Sequence, residues 1–460
     1  MVLNDAYSAA AEMLPIMADM SLLRRMALFE ATLAQAEAEA GVIPAEAAAI
    51  ITEVAGSLEI DAPAMAKDAI LGGTVAIPLV KSLTAAVRAR NPAAAAFVHF
   101  GATSQDAIDS ALVLQLGDAL VLLDRDLTRV AAAAAALARR HRNDPMLGRT
   151  VLQPATPITF GLKAAQWLTG AREARFRLRR IAGEALVLQF GGAAGTLGSL
   201  GDKGARTAEI LFAKMAALNA YPPARTAAVA GTPLPWHTRR GALMSLAGEI
   251  AIVTGVAGKI ARDLSSMMQF EVAEAFEPAD AGRGASSAMP HKRNPVRCML
   301  TVSAALRTPG LMATLLTGMV QEHERALGGW QAEWGALPEL VKLCSGALSN
   351  MAETLEGLQV DVARMRQNFD ALHGLPMTEM LALALAQGLG RTEAFALVET
   401  AAREVGTTGR SLAEVVKANP EATRHVPADR IDFILDPMNN LGATQAFIDS
   451  ALASWEAAAA

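Results

Sequence analysis

The sequence contains 460 residues, with 41 Lys and Arg against 46 Asp and Glu, for a formal net charge of −5. This slightly acidic balance excludes the general positive field that holds proteins on nucleic acid or anionic membranes. Apolar residues make up 52%, aromatic residues 4% and charged residues 19%, which excludes an intrinsically disordered chain and argues against an all-β fold.

The N-terminal segment predicts neither export nor membrane anchoring. Residues 1–20 carry three acidic residues and no basic region, unlike a secretory signal. The most membrane-like window, residues 241–258, contains Glu249 and four glycines and is interpreted as a buried helix. Cys298 and Cys344 are the only cysteines, which excludes a disulfide framework. We therefore expect a soluble, cytoplasmic protein without nucleic-acid or membrane partners.

Proline positions divide the chain into predicted helices, because an interior proline breaks or kinks a helix. A helix is predicted over 110–140, with Asp109 or Ser110 as its N-cap and a basic C-terminal end. The glycine-rich segment 191–204 is the one predicted interruption of the helical body, interpreted as a packing feature and not as a nucleotide loop. The long proline-free stretches rich in helix formers are 158–221, 236–277, 310–337 and 339–375.

Few charges lie along these predicted helices, so most of their circumference is apolar. Such helices must be covered by other helices, and one chain of this length offers too little surface to cover them all. The pattern therefore predicts a homo-oligomer. Along the chain we expect an N-terminal helical region (1–110), a central body of long helices (111–360) and a smaller helical C-terminal region (361–460).

The densest candidate site is the segment 282–295, GRGASSAMPHKRNP. Lys292, Arg293 and Asn294 offer cationic and amide donors that can hold a carboxylate. A serine in this segment can exchange a proton when nearby positive charge and backbone N–H groups acidify its hydroxyl. Composition alone favours a solvated basic turn, and the order of the residues reverses that preference.

Three segments resemble motifs of the fumarase/aspartase superfamily, in the same order along the chain. SSAMPHKRNP resembles the signature GSSxMPxKxNP, HFGATSQD at 99–106 resembles HxGxTSxD, and GRTVLQPATP at 148–157 resembles GRTHxQxAxP. The run 29–51 also resembles the first helices of the superfamily. The resemblance covers residues 20 to 340.

This resemblance implies an all-α subunit of three domains. It further implies a homotetramer with a core of long helices, in which each active site is built from three subunits. Enzymes of this superfamily add or eliminate a group next to a carboxylate, with a loop serine exchanging the carbon proton; that serine corresponds to Ser286. No metal and no other cofactor is expected. The residues that match substrate-binding positions are Thr103, Ser104, Thr150, Gln153, Lys292 and Asn294.

Departures from the motifs indicate a branch within the superfamily. Val151 stands where most members have the histidine of THxQ. The segment EHERA at 322–326 resembles the EHERD stretch of adenylosuccinate lyases, but Ala326 replaces the aspartate and Trp334 replaces a later nucleotide-binding arginine. Together with PWHT at 235–238 and WxxEW at 330–334, these features resemble the 3-carboxy-cis,cis-muconate cycloisomerases of the protocatechuate branch of the β-ketoadipate pathway.

That branch implies an intramolecular lactonisation of a substrate with three carboxylates. The nucleophile is one of these carboxylates, which needs no base to deprotonate it. This is consistent with Val151 in place of the histidine. Ser286 is expected to donate the proton to carbon, and Arg325 and, more weakly, Arg240 to bind carboxylates. His99 is expected either to orient or polarise a substrate carboxylate or to be a hydrogen-bonded helix-end histidine. The alternatives are a 3-sulfomuconate cycloisomerase, a fumarate-releasing lyase acting on adenylosuccinate or a related adduct, and a non-catalytic helical scaffold.

Overall fold

The computed structural model describes residues 3–221, 234–279, 283–285, 288–289 and 291–459. Helices form nearly all of the regular structure in these residues, which confirms the predicted all-α fold. The α-helices, numbered α1 to α19 in chain order, span Leu3–Ser8, Met13–Ile16, Asp19–Glu39, Ala45–Gly56, Ala62–Gly72, Ala76–Arg90, Ser104–Arg140, Phe160–Ala185, Gly204–Ala216, Gly241–Met267, Val296–Gly318, Gly329–Glu356, Val362–Asp370, Thr378–Leu389, Arg391–Thr408, Leu412–Lys417, Pro420–His425, Ala428–Leu435 and Thr444–Ala459. Short 3₁₀ helices span Ala94–Phe97, Gly198–Lys203, Leu375–Met377 and Pro437–Asn440.

Two small antiparallel pairs make up the strands of the described residues. Strands β1 (Pro145–Thr150) and β2 (Gln153–Thr159) form a hairpin, with Thr150 paired to Gln153 next to its turn. Strands β3 (Ala275–Phe276) and β4 (Gln359–Val360) form a two-residue pair. The hairpin carries the second predicted substrate-binding segment.

The long helices agree in part with the proline-based prediction. Helix α7 begins at Ser104, earlier than predicted, and α10 has 27 residues, so it extends over roughly 40 Å. The predicted glycine-rich interruption is confirmed, because α8 ends at Ala185 and α9 begins at Gly204. The prediction that prolines delimit the helices is wrong at Pro309 and Pro338, which lie inside α11 and α12.

The chain divides into two compact units, each made of three separate segments. Unit 1 comprises Met1–Leu127, Glu173–Gly258 and Leu300–Asn350, and unit 2 comprises Thr128–Arg172, Lys259–Met299 and Met351–Ala460. In unit 1, α3 packs on α4 and α9, and its Phe29 contacts Phe190 edge to face. In unit 2, α14 to α18 share a core of buried aliphatic side chains. The division into regions at residues 110 and 360 stays a prediction.

Helices α10 and α11 are long and apolar enough to cross a membrane, by length and composition alone. Half of the most apolar window of α10 is buried inside the subunit, but only 22% of that of α11. Leu306 and Leu316 on α11, and Val320 just beyond it, expose half or more of their surface. The predicted homo-oligomer requires an uncovered apolar face of this kind.

Candidate active site

The start of helix α7 in unit 1 carries the first predicted substrate-binding segment. Asp106 is fully buried, and its carboxylate accepts a hydrogen bond from the backbone N–H of Thr103 at 3.0 Å, as an acid in the first turn of a capping box does. The same carboxylate accepts hydrogen bonds from the N–H groups of Gly191 at 3.0 Å and Gly192 at 2.9 Å. Asp106 therefore fixes the glycine-rich segment to the N-terminus of α7.

His237 completes this buried cluster. Its Nε2 lies 2.7 Å from Oδ1 of Asp106, and both side chains are almost fully enclosed. A Cβ atom at Gly191 would lie 2.6 Å from Pro235 and 2.9 Å from the His237 ring, so only glycine fits between these residues. Asp106 and His237 stand in the segments TSQD and PWHT, but the sequence alone indicates no role for either.

Thr103 and Ser104 are held in position by this cluster but keep their hydroxyl groups free. Both residues are half-buried, and within the described part of the chain no hydrogen bond engages either hydroxyl. They stand at the N-terminus of a 37-residue helix, where unpaired N–H groups and the helix dipole favour a bound anion. The structure thus places the two residues where they can bind a carboxylate.

Arg325 contacts the same glycine-rich segment. Its guanidinium donates to the carbonyl of Ala193 at 2.8 Å and to Oε1 of the fully buried Gln105 at 3.4 Å. These acceptors are neutral, so the hydrogen bonds orient the guanidinium without neutralising its charge. Arg325 is half-buried and remains suited to bind a negatively charged group next to α7.

Arg240 does not share this accessibility. Its side chain is fully enclosed, with Nη1 at 2.7 Å from Oδ2 of Asp109, Nε at 3.0 Å from Oε1 of Glu333 and the guanidinium stacked on Trp236. Burial raises the pKa of the Glu333 carboxyl, against the opposing effect of Arg240. Because the side chain is enclosed and its donors are engaged by Asp109 and Glu333, this geometry does not favour direct substrate binding by Arg240, which stays a prediction. Arg240 orients Asp109, which also accepts a hydrogen bond from Trp330.

His99 forms a hydrogen bond with a buried acid that no sequence motif indicates. Its Nδ1 lies 2.6 Å from Oε1 of Glu30, a buried residue of α3. Burial lowers the pKa of His99, but the charge of Glu30, its hydrogen bond and the charge of Asp106 together outweigh burial, and the pKa is raised above its ordinary value. The backbone φ of His99 is +59°, an uncommon conformation outside glycine. No sequence pattern indicates this pair, since the partners are 69 residues apart.

In unit 2, the β1–β2 hairpin presents Thr150 and Gln153 on either side of its turn. Both residues are exposed. The turn consists of Val151 and Leu152, with φ of +52° and +64°, the backbone of a two-residue turn that normally selects Asn-Gly. Their side chains are 95% and 85% exposed. The hairpin thus carries two predicted binding residues at a strained, apolar and uncovered tip.

In the segment 282–295, called the signature loop from here on, the described residues include a close contact between Gly284 and Asn294. The backbone N–H and the side-chain amide of Asn294 both donate to the carbonyl of Gly284, at 2.9 and 3.2 Å. Gly284 has a φ of +73°, and a Cβ there would lie 2.7 Å from the Asn294 carbonyl oxygen, so this position requires glycine. Ser286 lies outside the described residues.

The two cations of the loop have different surroundings. Arg293 stacks over Phe276 and donates to the carbonyl of Glu277 at 3.1 Å. Lys292 is exposed, and among the described residues it has no ion-pair or hydrogen-bond partner for its ammonium group. The Glu277 carboxylate caps α11 by accepting from the N–H of Cys298 at 2.7 Å. Both side chains are exposed; the Arg293 guanidinium is oriented by Phe276 and a neutral carbonyl, whereas no described group orients the Lys292 ammonium.

Neither metal nor thiol chemistry is indicated by the described residues. Among them, no group of three or more His, Cys, Asp and Glu side chains is arranged to hold a metal ion. Cys298 and Cys344 are both buried, and burial raises the pKa of each thiol, that of Cys344 to about 12. A buried thiol of raised pKa is a poor nucleophile.

Family models match most of the chain. A model described as "Lyase" matches residues 6–310, and one described as "Adenylosuccinate lyase C-terminus" matches residues 374–451. The chain belongs to the lyase family. This confirms the membership of the fumarase/aspartase superfamily that the three motifs predict.

Full-length relatives extend this result. A 3-carboxy-cis,cis-muconate cycloisomerase of Bradyrhizobium diazoefficiens is 48% identical over 438 residues, which cover 95% of this chain and 94% of the relative. The crystal structure of the 3-carboxy-cis,cis-muconate lactonizing enzyme from Pseudomonas putida superposes with a TM-score of 0.90 at 41% identity and covers 100% of both chains. A nitrosuccinate lyase of Streptomyces davaonensis is 43% identical and covers 94% of this chain and 90% of the relative. The predicted fold of this lyase family is thereby confirmed.

Proposed function

We propose that the chain is a 3-carboxy-cis,cis-muconate cycloisomerase, which closes a lactone by adding one substrate carboxylate across the diene. The observation that carries this proposal is Val151 at the exposed hairpin tip, where the superfamily motif has a histidine. A carboxylate is already a nucleophile, so lactonisation needs no base there. The full-length relatives named as cycloisomerases support the same activity.

The reaction forms a carbon–oxygen bond and moves the π electron pair toward the neighbouring carboxylate. The resulting aci-carboxylate then accepts a proton at carbon. Ser286 is the proposed proton donor, and Lys292 and Asn294 stabilise the charge of the aci-carboxylate. Because three carboxylates become two and a lactone, the trianionic substrate takes up one proton per turnover. The carboxylates that do not react are assigned to Thr103, Ser104, Thr150, Gln153 and Arg325.

The assembly we propose is a cytoplasmic homotetramer that shares its active sites between subunits. The uncovered apolar residues of α11 support the association. The hairpin tip supports the sharing of sites, because Thr150 and Gln153 flank two exposed apolar residues that a neighbouring subunit can cover. Within each subunit, the three-domain division stays part of this proposal.

An ultraviolet assay of the purified protein tests the activity. We expect rapid, metal-independent loss of the conjugated diene of 3-carboxy-cis,cis-muconate, with proton uptake in weakly buffered solution. 3-Sulfomuconate, adenylosuccinate and nitrosuccinate serve as parallel substrates; the last is included because a relative of that name is 43% identical. Preference for sulfomuconate would move the assignment to a sulfonate substrate. If neither muconate is turned over and adenylosuccinate or nitrosuccinate is, the proposal is overturned.

A further inference from the structure

The Glu30 carboxylate is enclosed in unit 1 with a single described partner. Glu30 is 2% exposed, and its Oε1 lies 2.6 Å from Nδ1 of His99. Its other oxygen, Oε2, is buried and has no hydrogen-bond partner. A buried carboxylate is costly unless it is paired, so the interaction of Glu30 with His99 compensates its burial.

The other nitrogen of the His99 ring is open. Within the described residues Nε2 forms no hydrogen bond, and it is not fully enclosed. The side chain is 18% exposed, and with Nδ1 held by Glu30 the accessible polar atom is Nε2. His99 also precedes Thr103 and Ser104 by only a few residues, in the loop that leads into α7.

We propose that Glu30 is a positioning residue for His99. By accepting the Nδ1–H bond, its carboxylate fixes the ring and presents Nε2–H to a substrate carboxylate at the start of α7. The inference rests on the proposed function in taking that ligand to be a polycarboxylate. It also favours one of the two roles left open for His99: the histidine binds substrate and is not only a hydrogen-bonded helix-end histidine. The arrangement parallels the way a carboxylate orients a functional imidazole in other sites.

The charged groups around His99 favour its protonated form. Glu30 faces it from α3, and Asp106 faces it from α7 while hydrogen-bonded to His237. A second acid on α3, Glu37, has both carboxyl oxygens buried without a partner, and burial together with the charge of Glu30 raises its pKa to about 9. The raised pKa favours the uncharged form of Glu37 near neutral pH.

Glu37 supplies a matched control for a test by substitution. Glu30→Gln removes the negative charge beside His99, whereas Glu37→Gln replaces one uncharged, buried side chain of the same helix by another of the same size. We expect Glu30→Gln to raise KM about tenfold at pH 8 with a smaller change in kcat, and to move the basic limb of the kcat/KM profile to lower pH. Glu37→Gln should stay within about twofold of the unsubstituted enzyme. A profile unchanged by Glu30→Gln, or moved equally by both variants, would overturn the proposal.

Histidine NMR measures the titration of His99 directly, and this second test requires neither turnover nor the Glu30 variant. With labelled histidines, the His99 resonance is identified by its loss in His99→Gln. We expect the unsubstituted protein to show His99 titrating above the ordinary value of about 6.5, with Nδ1 protonated. Titration at or below that value would overturn the proposal even if Glu30→Gln does not fold. A raised titration in a protein inactive on both muconates would sustain the Glu30–His99 pairing and refute the proposed function alone.

Discussion

Two of the regions that carry predicted binding residues, the start of α7 and the β1–β2 hairpin, differ in how completely each is built within one subunit. At the start of α7, the buried Asp106 accepts four hydrogen bonds, which hold the glycine-rich segment and leave Thr103 and Ser104 open to a ligand. At the β1–β2 hairpin, Thr150 and Gln153 flank a turn with two positive φ angles and two exposed apolar side chains. The first region is preorganised, and the second lacks a covering surface.

This difference separates two physical requirements of the site. Anion binding needs donors that are already oriented, because reorienting them around each substrate would cost free energy at every turnover. The hairpin instead has strain and exposed apolar surface that association can offset. The comparison therefore predicts that substitutions at α7 damage the subunit itself, whereas substitutions at the hairpin tip act on the assembly.

The largest effect is expected in the signature loop. Ser286→Ala should lower kcat by about 10³-fold, because it removes the proposed proton donor, and should leave unfolding temperature and oligomeric state unchanged. Ser287→Ala is the matched control and should retain activity. Steady-state assays with sedimentation measurements on both variants check this. Activity retained in Ser286→Ala would move the acid role elsewhere, with His99 the next candidate.

The next largest effect tests the preorganised region. Asp106→Asn keeps the size of the side chain but turns an NH₂ group toward the N–H donors that the carboxylate accepts. We expect a loss of about 3 kcal/mol in the free energy of unfolding, measured in urea, since buried donors lose a charged acceptor. In the folded fraction, KM should rise as the start of α7 loosens. Asp68→Asn, at an exposed position of α5, should change neither quantity. Equal stability of the two variants would contradict a site fixed by Asp106.

The features of this molecule that depend on residues near each other in the chain can be predicted from the sequence. The helical content, the glycine-rich break before α9 and the segment with Thr103 and Ser104 all follow from nearby residues or short motifs. The Asp106–His237 and Glu30–His99 pairs do not, since 131 and 69 residues separate the partners. Tertiary packing determines which distant polar residues come into contact, and local sequence patterns do not indicate these contacts.

The same limit explains two differences between the sequence patterns and the structure. Arg240 has the residue type expected of a carboxylate-binding group, but the two acids that enclose it, Asp109 and Glu333, come from α7 and α12. Pro338 should end a helix by its local preference, yet α12 continues through it, with the buried Leu337 and Leu340 on either side. In both cases tertiary burial outweighs local preference.

The smallest effect is expected at the hairpin tip, and a pair of variants can resolve it. Val151→Thr keeps the β-branched shape, and hence the backbone strain, but replaces a methyl by a hydroxyl. Val151→Asn loses the apolar side chain and also relieves the strain, because asparagine adopts a positive φ more readily. If a neighbouring subunit covers the tip, both variants should weaken association by about 1 kcal/mol. Val151→Asn should offset part of this loss by stabilising the hairpin.

Sedimentation at decreasing protein concentration measures the strength of subunit association. The unfolding temperature reports the change in hairpin stability. A tip that faces solvent gives a different pattern: Val151→Thr would associate as the unsubstituted chain does, and Val151→Asn would raise the unfolding temperature with no change in assembly. That pattern would contradict the inference that the hairpin tip needs a covering subunit. The exposed apolar turn would then be a locally strained, solvent-facing turn and not part of an active site shared between subunits.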